Sequence, residues 1–228
     1  MKNPQRNPFS NSIFKVSGAS LFTTVMIIFL GFFLNSIFGE KAGESQLNML
    51  IFRSAVTLVT MTFGILAFRS YNDSRLKELL YDDGKKTGII ISVLFILAGG
   101  ALCILMNAGL AYIAAKTGQD IHSAYPPLEK STGILIAVLL TSAVLPAVFE
   151  EIVFRGCMYS FISDQDENIA VVVSAAMFSL IHQGVFQMIF AFFCGLVLGY
   201  SRRLSGRLWV PVIIHLINNS AAIILLMR

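Results

Sequence analysis

Charge is what this sequence has least of: Asp, Glu, Lys and Arg make up 13% of its 228 residues, about half of the roughly 25% carried by an ordinary soluble domain. With 56% of residues hydrophobic and a mean hydropathy of +0.74, a water-soluble globule is excluded. Cysteine is scarce as well. Cys103, Cys157 and Cys194 are odd in number, lie in apolar stretches and form no CxxC pair. That argues against a disulfide framework and a cysteine metal site, and the three read as buried free thiols. There is no compact basic segment despite a net charge of +4, so the cations bear on orientation in a bilayer and not on nucleic acid. Internal repeats and low-complexity tracts are also missing.

What is present is a series of long apolar runs. A span needs about 20 residues, and the chain offers runs near Ile13 to Phe38, Leu47 to Phe68, Thr87 to Ala115, Thr132 to Ile162, Ile169 to Ile181, Val185 to Tyr200 and Leu208 to Met227. The fold class expected is all-α, a polytopic membrane bundle of about seven transmembrane helices with no room for a separate soluble domain. Residues 1–131 supply the N-terminal helices and loops, and residues 132–228 a C-terminal helical core. The span count is open by one, because the fourth run could stop before Glu150 and resume as a separate helix. The stretch from Arg69 to Lys86 fits a short surface helix or a solvated linker, and Gly118 to Ser131 reads as irregular connection.

Positive charge favours the cytoplasmic side of short loops. With the N-terminus inside, the inner segments hold Lys2, Arg6, Lys15, Arg69, Arg75, Lys77, Lys85, Lys86, Arg202, Arg203 and Arg207, whereas the outer ones hold only Lys41, Lys116, Lys130 and Arg228. A multi-pass cell-membrane protein with a cytoplasmic N-terminus is expected.

The last four runs carry polar residues that a membrane helix does not tolerate without a use for them. An unpaired charge near the bilayer centre costs at least about 2.5–3.5 kcal/mol on insertion scales. Yet Glu150, Glu151, Arg155, His215, Asn218 and Asn219 fall within these runs, and His182 at the end of the fifth. Glu151 and Arg155 stand at i and i+4 with the acid first, the favourable order for an ion pair. Glu150 is rotated about 100° away, which leaves its carboxyl pointing into the bundle, where it suits general-base work on a water. Pro146 cannot donate to the carbonyl of Ser142, so a kink or local water access is expected just before the acids. His215 and Asn219 are again i and i+4, and an imidazole beside a carboxamide can hold a developing oxyanion. Phe178 and His182 share a face in the same manner. At about 1.5 Å per residue the three sets fall at compatible depths. For any of these residues alone, a structural role is an open alternative. The Gly195-x-x-x-Gly199 spacing reads as helix packing, and Trp209 and Pro211 as the interface and first turn of the last helix.

Three ordered motifs carry a family resemblance. Glu150-Glu151-Ile152-Val153-Phe154-Arg155 matches EExxxR, Phe178 to His182 matches FxxxH, and His215 to Asn219 matches HxxxN. Over roughly Thr132 to Leu226 the chain resembles the CAAX-processing and bacteriocin-processing (CPBP, Abi) intramembrane proteases. The resemblance implies that Glu150 and His182 activate the attacking water. It also implies that His215 and Asn219 stabilise the tetrahedral oxyanion and that Glu151 and Arg155 support the site.

The implied activity is that of an intramembrane endopeptidase acting on a membrane-anchored or amphipathic peptide, in CAAX-type, bacteriocin or signal-peptide processing or in self-immunity. The lipid bilayer is the other partner, and nucleic acid is not one. The short loops look bacterial. No cofactor is expected and metal-free hydrolysis is favoured, because the HExxH helix is absent. Zinc held by Glu150, His182 and His215 is the alternative. Two other functions compete: a non-catalytic scaffold regulating a partner such as a sensor kinase, which would keep its activity as Glu150→Gln, and a proton-coupled transporter using Glu150 and His182 as a relay. The absence of paired broken helices argues against the transporter.

Overall fold

The structure, a computed structural model, describes residues 8–39, 46–71, 87–118 and 131–226. Among these it contains seven helices and no strand: α1 (Pro8–Phe38), α2 (Gln46–Tyr71), α3 (Ile89–Lys116), α4 (Thr132–Ser163), α5 (Glu167–Leu180), α6 (Val185–Ser205) and α7 (Trp209–Leu226). Residues 72–86 and 119–130, which hold most of the expected surface helix and outer connection together with His122, lie outside the described residues.

Five helices, α1 to α4 and α6, are long and apolar enough to cross a membrane. The seven helices fit the expected polytopic bundle, and the shortest of them, α5, has 14 residues that reach about 21 Å at 1.5 Å per residue, less than a hydrocarbon core of about 30 Å. The 18 residues of α7 reach about 27 Å. Polar side chains start two helices. Ser131 accepts from the backbone N–H of Ile134 at the head of α4, and the Asp166 carboxylate accepts from Asn168 and Ile169 N–H at 2.7 and 2.9 Å at the head of α5.

The fourth run is one continuous helix, so it does not divide before Glu150. It is not uniformly α-helical. Two wide turns, Leu140–Val144 and Ile152–Met158, flank the α-helical stretch Leu145–Glu151. In them Leu145 N–H reaches back five residues to the Leu140 carbonyl, and Tyr159 N–H five residues to Phe154. Such π-type turns recur at functional sites because they free a carbonyl and re-aim the side chains that follow.

Three apolar clusters assemble the bundle around α4. Ile27 of α1 with Met61 and Phe68 of α2 pack on Val153, Phe154, Met158 and Ile162 of α4 and on Val171 and Phe178 of α5. Ile96 and Cys103 of α3 pack on Cys194 and Leu198 of α6 and on Val210 and Ile214 of α7. Leu50, Val138, Ala143 and Ile223 join α2, α4 and α7. The helices of residues 1–131 therefore share their buried surface with those of 132–228. All three cysteines are buried free thiols, as expected.

α5 and α6 make the closest pairing. A Cβ at Gly195 would meet Ala175 Cα, Ala175 Cβ and Arg155 Nη2, each at 3.1 Å, and one at Gly199 would lie 3.0 Å from Val171 Cγ1. The glycine pair thus lets two backbones approach where side chains would hold them apart. Arg203 Nε donates to Glu167 Oε2 at 2.9 Å, and its guanidinium also bonds Asn168, tying the end of α6 to the start of α5.

Candidate active site

The site forms where α4, α5 and α7 face one another. Glu151 and Arg155 are fully buried and paired, with Arg155 Nη1 2.8 Å from Glu151 Oε1. The arginine is anchored twice more. Its Nη2 donates to the Gly195 carbonyl on α6 at 3.0 Å, and its guanidinium carbon stands 4.4 Å from the centroid of the Phe178 ring. Burying an ion pair is tolerable only when the remaining donors are also engaged, and the carbonyl and the aromatic face answer much of that need.

Glu151 does more than face Arg155. The same oxygen, Oε1, lies 3.0 Å from His215 Nδ1 on α7, 64 residues further along the chain. On the other side of that ring, His215 Nε2 is 3.9 Å from Glu150 Oε2. This distance is too long for a direct hydrogen bond and is an ion-pair contact only when the ring is protonated. Both neighbouring glutamates thus approach the same ring, from its two nitrogen sides. They diverge by about 100° around the helix, and one imidazole fills the angle between them. The Glu150 side chain keeps 12% of its surface exposed, against 0% for Glu151, so Glu150 is the carboxyl on the open side.

His182 is also placed differently from the expectation. α5 ends at Leu180, and His182 sits in the turn that follows, ahead of Gly184, whose φ of +85° only glycine adopts without strain. The expected pairing with Phe178 survives. The ring centroids are 4.8 Å apart, and His182 Nδ1 lies 2.9 Å from the Phe178 carbonyl oxygen. A carbonyl can only accept, so Nδ1 carries the hydrogen and Nε2 presents a lone pair when the ring is neutral. Phe178 also meets His215 edge to face at 5.6 Å and Phe154 at 5.5 Å, so one phenyl ring holds both histidines and the arginine in place.

Asn219 lies half-buried one turn beyond His215, on the expected stripe. Its Nδ2 is 3.5 Å from the Ser142 carbonyl, and its Oδ1 accepts from Asn218 Nδ2 at 3.2 Å. Ser142 is the residue whose carbonyl Pro146 cannot serve, so the widened turn and the asparagine meet at one atom. Sequence reasoning named Ser142 and Gly195 for a kink and for packing, and did not identify their carbonyls as acceptors for Asn219 and Arg155. Pro146 signalled the first; nothing in the sequence signals an acceptor 40 residues beyond Arg155. Among the described residues, no three His, Cys, Asp or Glu side chains converge as a group able to hold a metal ion.

Carboxyl, imidazole and carboxamide groups are thus gathered inside a polytopic helical bundle, and known proteins offer a comparison for that arrangement. Residues 132–221 match the family profile described as type II CAAX prenyl endopeptidase Rce1-like. Over 193 residues, covering 82% of this chain and 76% of the relative, it is 21% identical to a Bacillus subtilis (strain 168) protein named "Putative membrane peptidase YdiL". No solved structure matches the chain.

Proposed function

We propose that the protein is an intramembrane endopeptidase that hydrolyses a peptide bond in a membrane-anchored or amphipathic substrate with water activated by Glu150 and His182. The observation that carries this reading is the asymmetry of the two acids around His215. Glu151 is sealed behind the ring and neutralised by Arg155, whereas Glu150 borders the open side. A carboxylate there takes the proton of a water as its oxygen attacks the carbonyl carbon. Asn219, joined by His215 once its Nε2 carries a proton, receives the charge that develops on the carbonyl oxygen. The C–N bond then breaks, and the proton passes to the leaving amine.

The short α5 supports a route for that water. If its Glu167 end stands at the membrane surface, the turn at His182 lies inside the hydrocarbon layer, where non-helical backbone is tolerated only against protein or a water-lined cavity. Gln183, Gly184 and Val185 are exposed beside it. We assign the N-terminus to the cytoplasm of a bacterial cell, and to α1–α3 the shaping of substrate access.

Metal-free hydrolysis is part of the proposal. Among the described residues Glu150, His182 and His215 do not gather as a three-ligand set. The test is purified protein in liposomes containing membrane-anchored peptides, farnesylated CAAX peptides among them, with and without chelator. Cleavage that persists with chelator is expected. Cleavage lost to chelator and restored by zinc would overturn the metal-free reading.

A further inference from the structure

The bond between Glu151 and His215 bears on what the histidine can do, a point that the HxxxN spacing does not reach. Glu151 Oε1 accepts from Arg155 Nη1 at 2.8 Å, and the same oxygen faces His215 Nδ1 at 3.0 Å. A guanidinium has no acceptor, so Oε1 is an acceptor toward Arg155 and, with its lone pairs, toward the imidazole as well. The hydrogen of that contact then belongs to Nδ1. When the ring is neutral, Nε2 is bare and its lone pair is aimed toward the Glu150 carboxyl at 3.9 Å. A bare nitrogen repels an oxyanion. His215 can donate to one through Nε2 only after that atom has taken up a proton.

We propose that Glu151 is a positioning residue that fixes His215 as the Nδ1–H tautomer, and that His215 Nε2 is thereby a proton carrier between Glu150 and the reacting amide instead of a standing oxyanion donor. In this sequence the water's O–H bond breaks toward Glu150 and the proton passes on to His215 Nε2. It then reaches the leaving nitrogen as the C–N bond breaks, which returns Glu150 and His215 to their starting forms. Asn219, whose Nδ2 hydrogens do not depend on any proton transfer, is the constant donor to the oxyanion. Of the groups around the ring, Glu150, Glu151 and Arg155 come from α4, and Phe178 stands between His215 and His182 from the α5 side.

The kinetic consequence rests on the proteolytic reading given above; the tautomer does not, and the two are separable. The full chain has three histidines, so ¹⁵N-histidine labelling of the protein in detergent or bilayers, compared with His122→Gln and His182→Gln, isolates the His215 ring. Its neutral form should give the Nδ1–H signature in the wild type. Glu151→Gln keeps a carbonyl oxygen for both Nδ1 and Arg155 and should keep that signature, whereas Glu151→Met removes the acceptor and should lose it. In cleavage assays kcat should follow the tautomer, falling about 100-fold in Glu151→Met with KM unchanged and recovering substantially in Glu151→Gln. An Nε2–H signature for His215 in the wild type overturns the proposal, whether or not any variant folds. An Nδ1–H signature in a protein that cleaves no peptide leaves the tautomer standing and rejects the protease reading instead.

Discussion

Glu150 and Glu151 differ by one position and share one histidine, yet their burial separates their duties. Glu150→Gln removes the group proposed to take the water's proton and preserves volume, so cleavage should fall by about 100- to 10,000-fold with substrate binding retained. Initial rates and peptide affinity in liposomes would check this. Asn219→Ala removes a donor near the oxyanion and should lower kcat by about 100- to 1,000-fold. It also leaves the Ser142 carbonyl without the donor that stands 3.5 Å away. Arg155→Met leaves Glu151 buried beside His215 with no cation; breaking a buried pair in this way costs about 3–5 kcal/mol, so this variant should unfold at a lower temperature in detergent. The side chains that cluster in the candidate site could be picked out in the sequence because charged and polar residues stand out against an apolar background. Their partners were less legible. The i, i+4 rule finds Arg155 for Glu151, but no local rule finds His215 or the Gly195 carbonyl, which only tertiary packing brings near.

At the scale of the helix, the features that matter are departures from regularity. Pro146 announced a disturbance in α4, and the wide turn Leu140–Val144 lies just ahead of it. The second, Ile152–Met158, begins directly after the two acids and contains no proline to mark it, so apolar patterning could not reveal it. Helix ends are equally hard to read: the run through Ile181 looks continuous, but α5 stops at Leu180 and hands His182 to a turn. The glycine pair of α6 was legible as packing, and its consequences differ by position. A side chain at Gly195 meets the Ala175 backbone and the Arg155 guanidinium, whereas one at Gly199 meets the end of Val171. Gly195→Val should therefore lower the unfolding temperature, consistent with an overpacking cost of about 1–3 kcal/mol, and also reduce cleavage in the protein that remains folded. Gly199→Ala should lower stability by less and leave kcat nearly intact. Thermal unfolding and single-turnover cleavage on the same preparations separate the two.

Across the whole molecule, composition already defined a helical membrane bundle, and residues 132–221 carry the match to the membrane-protease family. The packing of α1 and α2 against α4 and α5, and of α3 against α6 and α7, was not legible, because long apolar helices present no narrow stripe from which to read a partner. The proposed orientation rests on charge. A reporter inserted in the 206–208 turn should read as cytoplasmic, next to Arg202, Arg203 and Arg207; an external reading would invert the assignment for the C-terminal helices. The central claim is that Glu150 activates water to cut a membrane peptide, and its most direct test is mass spectrometry of membrane peptides from cells expressing the wild type, Glu150→Gln or His215→Ala. The account predicts that one and the same precursor accumulates in both variants and that reconstituted wild-type protein cleaves it in the presence of chelator. If neither variant changes any peptide while the cells keep the wild-type phenotype, the account is contradicted and the protein acts as a scaffold.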